Sequence, residues 1–186
     1  MRFVVLGTTE LTTRCATALL DAGAEVEALI SMPEPVRPDS SADIAEFAAR
    51  HGVAYHEVED INSPESADLI RGFSADYIFS TWPRVLNKEI LQIPRIYCIG
   101  SHPTALPFNR GRHPLHWLIS LGITESKMSF FRMDEGIDTG DIVEQVYYDI
   151  NENDTAEDIV NKQLELFPNI LIRTIENIKQ NKITRM

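Results

Sequence analysis

The first hundred residues alternate between short apolar runs and segments with helical periodicity, and this alternation restricts the fold more than any other feature. Arg2–Leu6 is an apolar run that ends at Gly7, and residues 11–22 carry an apolar stripe at helical spacing before Gly23. Glu25–Ser31 is a second strand-like run. A strand, a helix and a strand in this order favour a parallel pair with a right-handed crossover.

The same alternation continues to about residue 100. We predict helices over residues 40–51, 63–72 and 87–93, and strands over residues 53–58, 76–80 and 96–99. Ser40 with Asp43 is a capping box for the first of these helices. The pattern predicts an α/β fold with a doubly wound, mostly parallel central sheet and helices on both faces. A length of 186 residues fits a single domain over residues 1–186.

Beyond residue 100 the helices and strands no longer alternate strictly. We predict a helix over residues 113–121, strands over residues 126–133 and 142–149, and a long C-terminal helix that begins after Thr155. Its apolar stripe is Ile159, Leu164, Phe167, Leu171 and Ile175. Pro168 lies inside this helix, so we expect a kink or a division there.

Charge and cysteine content restrict the partners and the compartment. The formal net charge is −11, and an acidic chain repels phosphate backbones, so we expect no nucleic-acid partner. The two cysteines have neither a disulfide framework nor metal-ligand spacing, which indicates buried small hydrophobes in a reducing compartment. No apolar run reaches the roughly 18 residues of a membrane span. We expect a cytoplasmic protein with no membrane partner.

One histidine stands where an α/β sheet binds its ligands, beyond the carboxyl ends of strands. His102 follows the predicted strand at residues 96–99 and precedes Pro103, which keeps its backbone extended. Histidine is the side chain best suited to proton transfer near neutral pH. A single histidine can equally be a surface or a satisfied core residue.

A second turn is rich in acids. Asp134, Glu135, Asp138 and Asp141 lie within eight residues, a composition that also suits a solvated turn or a divalent cation. Ile137 interrupts the acids and the spacing is not that of an EF-hand, so we predict no metal. We predict instead that the two turns face each other and bring His102 beside Asp138.

Several stretches together resemble the N10-formyltetrahydrofolate-dependent formyltransferase family. They are residues 1–31, residues 82–95 (WPRVLNKEILQIPR), residues 102–107 (HPTALP) and residues 133–141 (MDEGIDTGD). The resemblance implies a Rossmann-like fold and the transfer of a formyl group from N10-formyltetrahydrofolate to an amine, with no metal. Residues 110–117 (RGRHPLHW) look most like the members that formylate a nucleotide-linked amino sugar.

The resemblance also implies roles for individual residues. The catalytic positions are His102, Asp138 and Gly100. The folate-binding positions are Trp82, Arg84, Val85, Leu86, Glu135, Gly136, Ile137 and Asp138. The positions that contact the acceptor are Ser101, Thr104, Asn109, Arg110, Gly111 and Arg112.

Two departures from the family pattern accompany the resemblance. The family usually has an asparagine at Gly100, which donates a hydrogen bond to the formyl oxygen; removing one such donor raises a barrier by about 2.7–4 kcal/mol. A backbone N–H, Ser101 or Asn109 would then have to replace it. The Arg-rich segment that often follows the last helix of the family is also missing.

The sequence also leaves alternative acceptors and an alternative class of function open. Initiator-tRNA formyltransferases usually have small residues at Arg112 and His113 and carry an extra C-terminal domain, and the chain ends before one, which argues against tRNA. Another small amine such as glycinamide ribonucleotide is an alternative acceptor. A folate- or sugar-nucleotide-binding pseudoenzyme is an alternative class, which Gly100 supports. We also consider a homodimer, formed if the last helix retains apolar surface.

Overall fold

The computed structural model describes residues 1–180. The chain divides into two compact units, Met1–Ile99 and the part that begins at Gly100. The predicted single domain over residues 1–186 stays a prediction. Among the described residues no helix combines the length and the hydropathy that crossing a bilayer requires.

The first unit contains the strand–helix alternation. Its strands are β1 (Arg2–Leu6), β2 (Glu25–Ser31), β3 (Ala54–Glu57) and β4 (Tyr77–Ser80). Its helices are α1 (Glu10–Asp21), α2 (Ile44–His51), α3 (Pro64–Gly72) and the short α4 (Lys88–Leu91), with a 3₁₀ turn at Glu34–Val36. β1 pairs in parallel with both β2 and β4, and β2 pairs in parallel with β3.

β5 (Tyr97–His102) passes from the first unit into the second, which also contains β6 (Glu125–Arg132) and β7 (Ile142–Asp149). The helices of the second unit are α5 (Pro114–Ser120) and α6 (Ala156–Lys179), and β6 and β7 are antiparallel. The seven strands follow the order β3-β2-β1-β4-β5-β6-β7 in one open sheet. The predicted α/β fold with a mostly parallel sheet is confirmed.

Each unit has its own apolar core. In the first, Phe3, Val4, Val5 and Leu6 of β1 have no exposed surface, as expected of a central parallel strand that is covered on both faces. In the second, a cluster joins α5, β7 and α6 through Leu118, Tyr148, Ile150 and Ile159. All five residues of the predicted α6 stripe are buried. Cys15 and Cys98 are buried too, and burial raises the pKa of the Cys98 thiol to about 12.

One detail of the sequence prediction is wrong. Ser40 does not cap α2; Asp43 does, because its Oδ1 accepts the Glu46 N–H at 2.8 Å. Residues 41 and 42 make other backbone bonds, in which the Ser41 N–H donates to Pro38 O and the Ala42 N–H donates to Thr8 O.

Pro168 does not divide α6, which is one helix of 24 residues. Phe167, Ile170 and Leu171 on either side of the proline are fully buried. Packing of this continuous apolar stripe outweighs the one backbone hydrogen bond that proline removes.

Candidate active site

His102 is the last residue of β5, which runs three residues further than the sequence predicted. The residue is 5% exposed. Its Nε2 lies 2.8 Å from the Asn109 carbonyl oxygen. Because a carbonyl can only accept a hydrogen bond, Nε2 carries a hydrogen and donates it. The tautomer of the ring is therefore set by the backbone of the following turn.

The other ring nitrogen faces the acidic turn. His102 Nδ1 lies 3.4 Å from Asp138 Oδ2, an ion-pair distance that exceeds that of a short charge-assisted hydrogen bond. The Asp138 side chain is 20% exposed, and its Oδ2 also accepts the Gly111 N–H at 2.9 Å. The two turns thus face each other and bring together the pair that the sequence predicted.

The backbone of the acidic turn explains how Asp138 reaches His102. Asp138 has a φ of +52°, a left-handed conformation that is uncommon for a residue with a side chain. Asp134 Oδ1 closes the turn by accepting the Gly136 N–H at 3.0 Å and the Thr139 hydroxyl at 2.6 Å. At Gly140 an added Cβ would lie 1.6 Å from a backbone oxygen, so only glycine fits there.

Gly100 contributes no side chain, and its surroundings leave no room for one. An added Cβ would lie 2.8 Å from Phe131 Cζ and 2.9 Å from Met133 Cγ. These side chains fill the place that a residue at position 100 would take. Neither side chain was predicted from the sequence, because Phe131 lies in an apolar strand that carries no sign of a special role.

The basic loop lies against the acidic turn through Gly111. Arg110 and Arg112 are exposed, and Gly111 between them has a φ of +88°, which glycine adopts without strain. Asn109 is half-buried and also left-handed, at φ +54°. The Gly111 N–H on Asp138 places the backbone between the two arginines beside the acidic turn.

Two of the residues expected to contact the acceptor are partly or wholly covered. Ser101 is half-buried. Thr104 has no exposed surface, and its hydroxyl donates to the carbonyls of Phe108 and Asn109 at 2.8 and 3.3 Å. The Thr104 hydroxyl is thus used inside the turn, and the contact of Thr104 with the acceptor stays a prediction.

The folate-binding residues predicted in the first unit lie on the segment after β4. Trp82 and Leu86 are buried, whereas Arg84 and Val85 are exposed. The Trp82 indole N–H is buried and has no hydrogen-bond partner among the described residues. This segment is held by Asn62, which the sequence analysis missed. Asn62 Nδ2 donates to Val85 O at 3.0 Å, and its Oδ1 accepts the Asn87 N–H at 2.8 Å.

The remaining predicted folate contacts lie in the acidic turn of the second unit. Glu135 and Gly136 are exposed, and the Ile137 residue is 60% exposed. Within residues 1–180, no three His, Cys, Asp or Glu side chains come together in a metal-binding arrangement. The expected absence of a metal stays a prediction.

Most of the chain matches one known protein family. A sequence profile described as formyl transferase matches residues 1–175. The chain belongs to the formyl transferase family. The family resemblance inferred from residues 1–31, 82–95, 102–107 and 133–141 is therefore confirmed.

Curated relatives of this formyl transferase include two methionyl-tRNA formyltransferases. That of Clostridioides difficile is 26% identical over 100% of this chain and 62% of its own length. That of Caldanaerobacter subterraneus subsp. tengcongensis is 30% identical over 98% of this chain and 61% of its own length. The chain thus spans about three fifths of the length of these relatives.

Solved structures of other formyltransferases share the fold. Glycinamide ribonucleotide transformylase 1 from Symbiobacterium toebii superposes with a TM-score of 0.83 at 21% identity, over 97% of this chain and 88% of its own. The N-formyltransferase from Helicobacter canadensis, solved with folinic acid and dTDP-3-aminofucose, has a TM-score of 0.71 at 20% identity, over 97% of this chain and 65% of its own. At these identities the likeness concerns the fold.

Proposed function

We propose that this formyl transferase moves a formyl group from N10-formyltetrahydrofolate to the amino group of a nucleotide-linked amino sugar. One observation carries the proposal: the Gly111 N–H donates to Asp138, which faces His102, and Arg110 and Arg112 are the sequence neighbours of Gly111. A guanidinium group suits bidentate contact with phosphate. The Helicobacter canadensis relative, solved with a nucleotide-linked amino sugar, supports this choice of acceptor.

The chemistry follows from the two side chains that meet. The folate supplies an activated formyl group, which the neutral sugar amine attacks. The amine adds to the formyl carbon to give a tetrahedral oxyanion, which collapses as the bond to folate N10 breaks, and N10 gains the proton that the amine has lost. Protonated His102 stabilises the oxyanion that develops on the formyl oxygen, and Asp138 opposes the charge of the ring and takes the amine proton through a water. Positioning and electrostatics then supply the catalysis.

The folate contacts proposed here are Glu135 to Asp138 in the second unit and Trp82 and Arg84 to Leu86 in the first. Each unit offers one observation that supports a folate contact of its own. The buried Trp82 N–H has no protein partner within the described residues, and exposed Ile137 offers apolar surface. An unpartnered buried donor is costly unless a ligand or water satisfies it.

The test is a formyl-transfer assay with N10-formyltetrahydrofolate and a panel of acceptors, read by mass spectrometry of the products. The panel contains nucleotide-linked amino sugars, glycinamide ribonucleotide and methionyl-tRNA. We expect turnover with an amino sugar. Turnover with glycinamide ribonucleotide alone would identify that compound, and not an amino sugar, as the acceptor. Turnover with methionyl-tRNA alone would likewise identify methionyl-tRNA as the acceptor.

Asp138→Asn tests the site while keeping an oxygen that accepts the Gly111 N–H. We expect kcat to fall on the order of 100-fold or more, because the ring loses its opposing charge. Asp134→Asn is the matched control, since it removes one charge from the same turn and keeps an acceptor for Gly136. If Asp138→Asn retains the kcat of the wild type, the assigned role is wrong.

A second candidate function is a binding protein without catalysis. It is favoured by Gly100, where the family asparagine is absent and Phe131 fills its place. Isothermal titration with folate and with nucleotide-linked amino sugars separates the two. Tight binding of both with no turnover on any acceptor would select the binding protein.

Assembly and location stay predictions. On α6, Val160 and Ile172 are exposed apolar residues, at 39% and 43%, which a homodimer would cover. The cytoplasmic compartment rests on the composition alone.

A further inference from the structure

The turn that follows His102 is held by side chains of β6 and β7 that the sequence analysis did not identify. Ser129 Oγ donates to Thr104 O at 2.6 Å and accepts from Gln145 Nε2 at 2.8 Å. Gln145 Nε2 also donates to Leu106 O at 3.0 Å. Ser129 has no exposed surface. Ser129 and Gln145 thus hold two carbonyls of the turn, those of Thr104 and Leu106, by hydrogen bonds.

The Thr104 hydroxyl continues this network to the active-site ring. It donates to Phe108 O at 2.8 Å and, more weakly, to Asn109 O at 3.3 Å. The Asn109 carbonyl is the same group that accepts the Nε2–H of His102. A hydroxyl has one hydrogen, which the two carbonyls share. The position of the Asn109 carbonyl therefore depends on Thr104.

We propose that Thr104 is a positioning residue for formyl transfer. Its hydroxyl fixes the Asn109 carbonyl and, through that carbonyl, the tautomer and orientation of the His102 ring. Nε2 is kept as a donor, and Nδ1 is kept facing Asp138. The kinetic part of this inference rests on the proposed function, which it deepens. Thr104 itself touches no reacting atom.

If Thr104 had only a structural role, its variants would behave differently. A buried threonine that only packs would tolerate valine, which has the same shape, or would lose stability with no specific effect on the ring. Thr174 is the matched control, because it also has no exposed surface and its hydroxyl donates to a carbonyl, Ile170 O, at 2.7 Å. It lies on α6 outside the network described here.

The kinetic experiment compares Thr104→Val, Thr104→Ser and Thr174→Val in the complete chain. We expect Thr104→Val to lower kcat on the order of 10- to 100-fold with little change in the KM of either substrate, because the reacting groups are misplaced and not lost. Thr104→Ser keeps the hydroxyl and should keep kcat. Thr174→Val should leave kcat unchanged. An equal loss in both valine variants would overturn the proposal.

A second readout does not depend on catalysis. NMR of the imidazole nitrogens reports the tautomer of each of the five histidines, and His102→Asn assigns the signal that disappears. We expect the donor nitrogen of His102 to lose its distinct signal in Thr104→Val and to keep it in Thr104→Ser and Thr174→Val. Unchanged ring signals in Thr104→Val would refute the positioning role. Changed signals in a protein that turns over no acceptor would refute the proposed function alone.

Discussion

Gly100 shows how packing at one residue controls what the site can contain. The ring of Phe131 and the side chain of Met133 occupy the space into which a Cβ at position 100 would project. Position 100 is therefore coupled to Phe131 and Met133. An asparagine there would require changes at these neighbours as well. For the proposed formyl transfer, a donor to the formyl oxygen would have to come from elsewhere in this chain.

We expect Gly100→Asn to destabilise the protein by about 1–3 kcal/mol, because it overpacks a filled site. Gly100→Asn should destabilise the Phe131→Ala variant less than it destabilises the wild type, because the ring that the new side chain would meet is gone. Urea denaturation of the four proteins of this cycle measures the coupling. Gly72→Asn is the control, as nothing lies within 4 Å of a Cβ built there. Equal effects in the two backgrounds would contradict the coupling.

The active-site pair shows a second residue-scale effect. His102 and Asp138 are 36 positions apart, and the prediction that they meet came from their residue types together with the family resemblance of the two turns. What the residue types could not indicate is that backbone groups complete the pair. The Asn109 carbonyl and the Gly111 N–H contact it, and a peptide group carries no sequence signal.

At the scale of elements, the start of α6 combines local signals that the sequence shows plainly. The Thr155 hydroxyl accepts the Asp158 N–H, and the Asp158 carboxylate accepts the Thr155 N–H at 2.8 Å. These bonds from Thr155, side chain first, lower the pKa of Asp158 below its usual value of 3.8. A lowered pKa means that the ionised form is favoured by folding.

The capping box should therefore make stability depend on pH in the acid range. The contribution of Asp158 is complete above the unfolded pKa of about 4 and is lost as the pH falls through the lower folded pKa. We expect Asp158→Asn to reduce the drop in Tm between about pH 6 and pH 3. Glu157→Gln, a charge removal in the same first turn outside the capping box, is the control. An unchanged drop in Asp158→Asn would contradict the prediction.

Other elements show where local signals fail. Asp43 replaces Ser40 as the cap of α2, and Pro168 lies within an unbroken α6. In both cases contacts with distant parts of the chain determine the outcome. Near the start of α2 the Ala42 N–H donates to Thr8 O, and in α6 the residues around Pro168 are buried. Local propensity is a weak guide wherever tertiary bonds compete with it.

At the scale of the whole molecule, the net charge of −11 opposes binding to polyanions. We expect this chain of 186 residues to show no measurable binding to initiator tRNA at physiological salt, in a fluorescence-anisotropy titration. The same assay at low salt controls for weak electrostatic attraction, which salt would screen. Micromolar binding that weakens steeply with salt would show that a local basic surface outweighs the total charge.

The sequence alone determined the α/β class and most strands and helices, because apolar periodicity and capping residues are written in neighbouring residues. The pairing of His102 with Asp138 was inferred largely from the resemblance to the family. Only the tertiary structure decided the tautomer of His102, the burial of Thr104 and the filling of the space beside Gly100. Those features depend on left-handed turns, backbone donors and acceptors, and side chains from separate strands. Their physical cause is contact between distant parts of the chain, which no local pattern encodes.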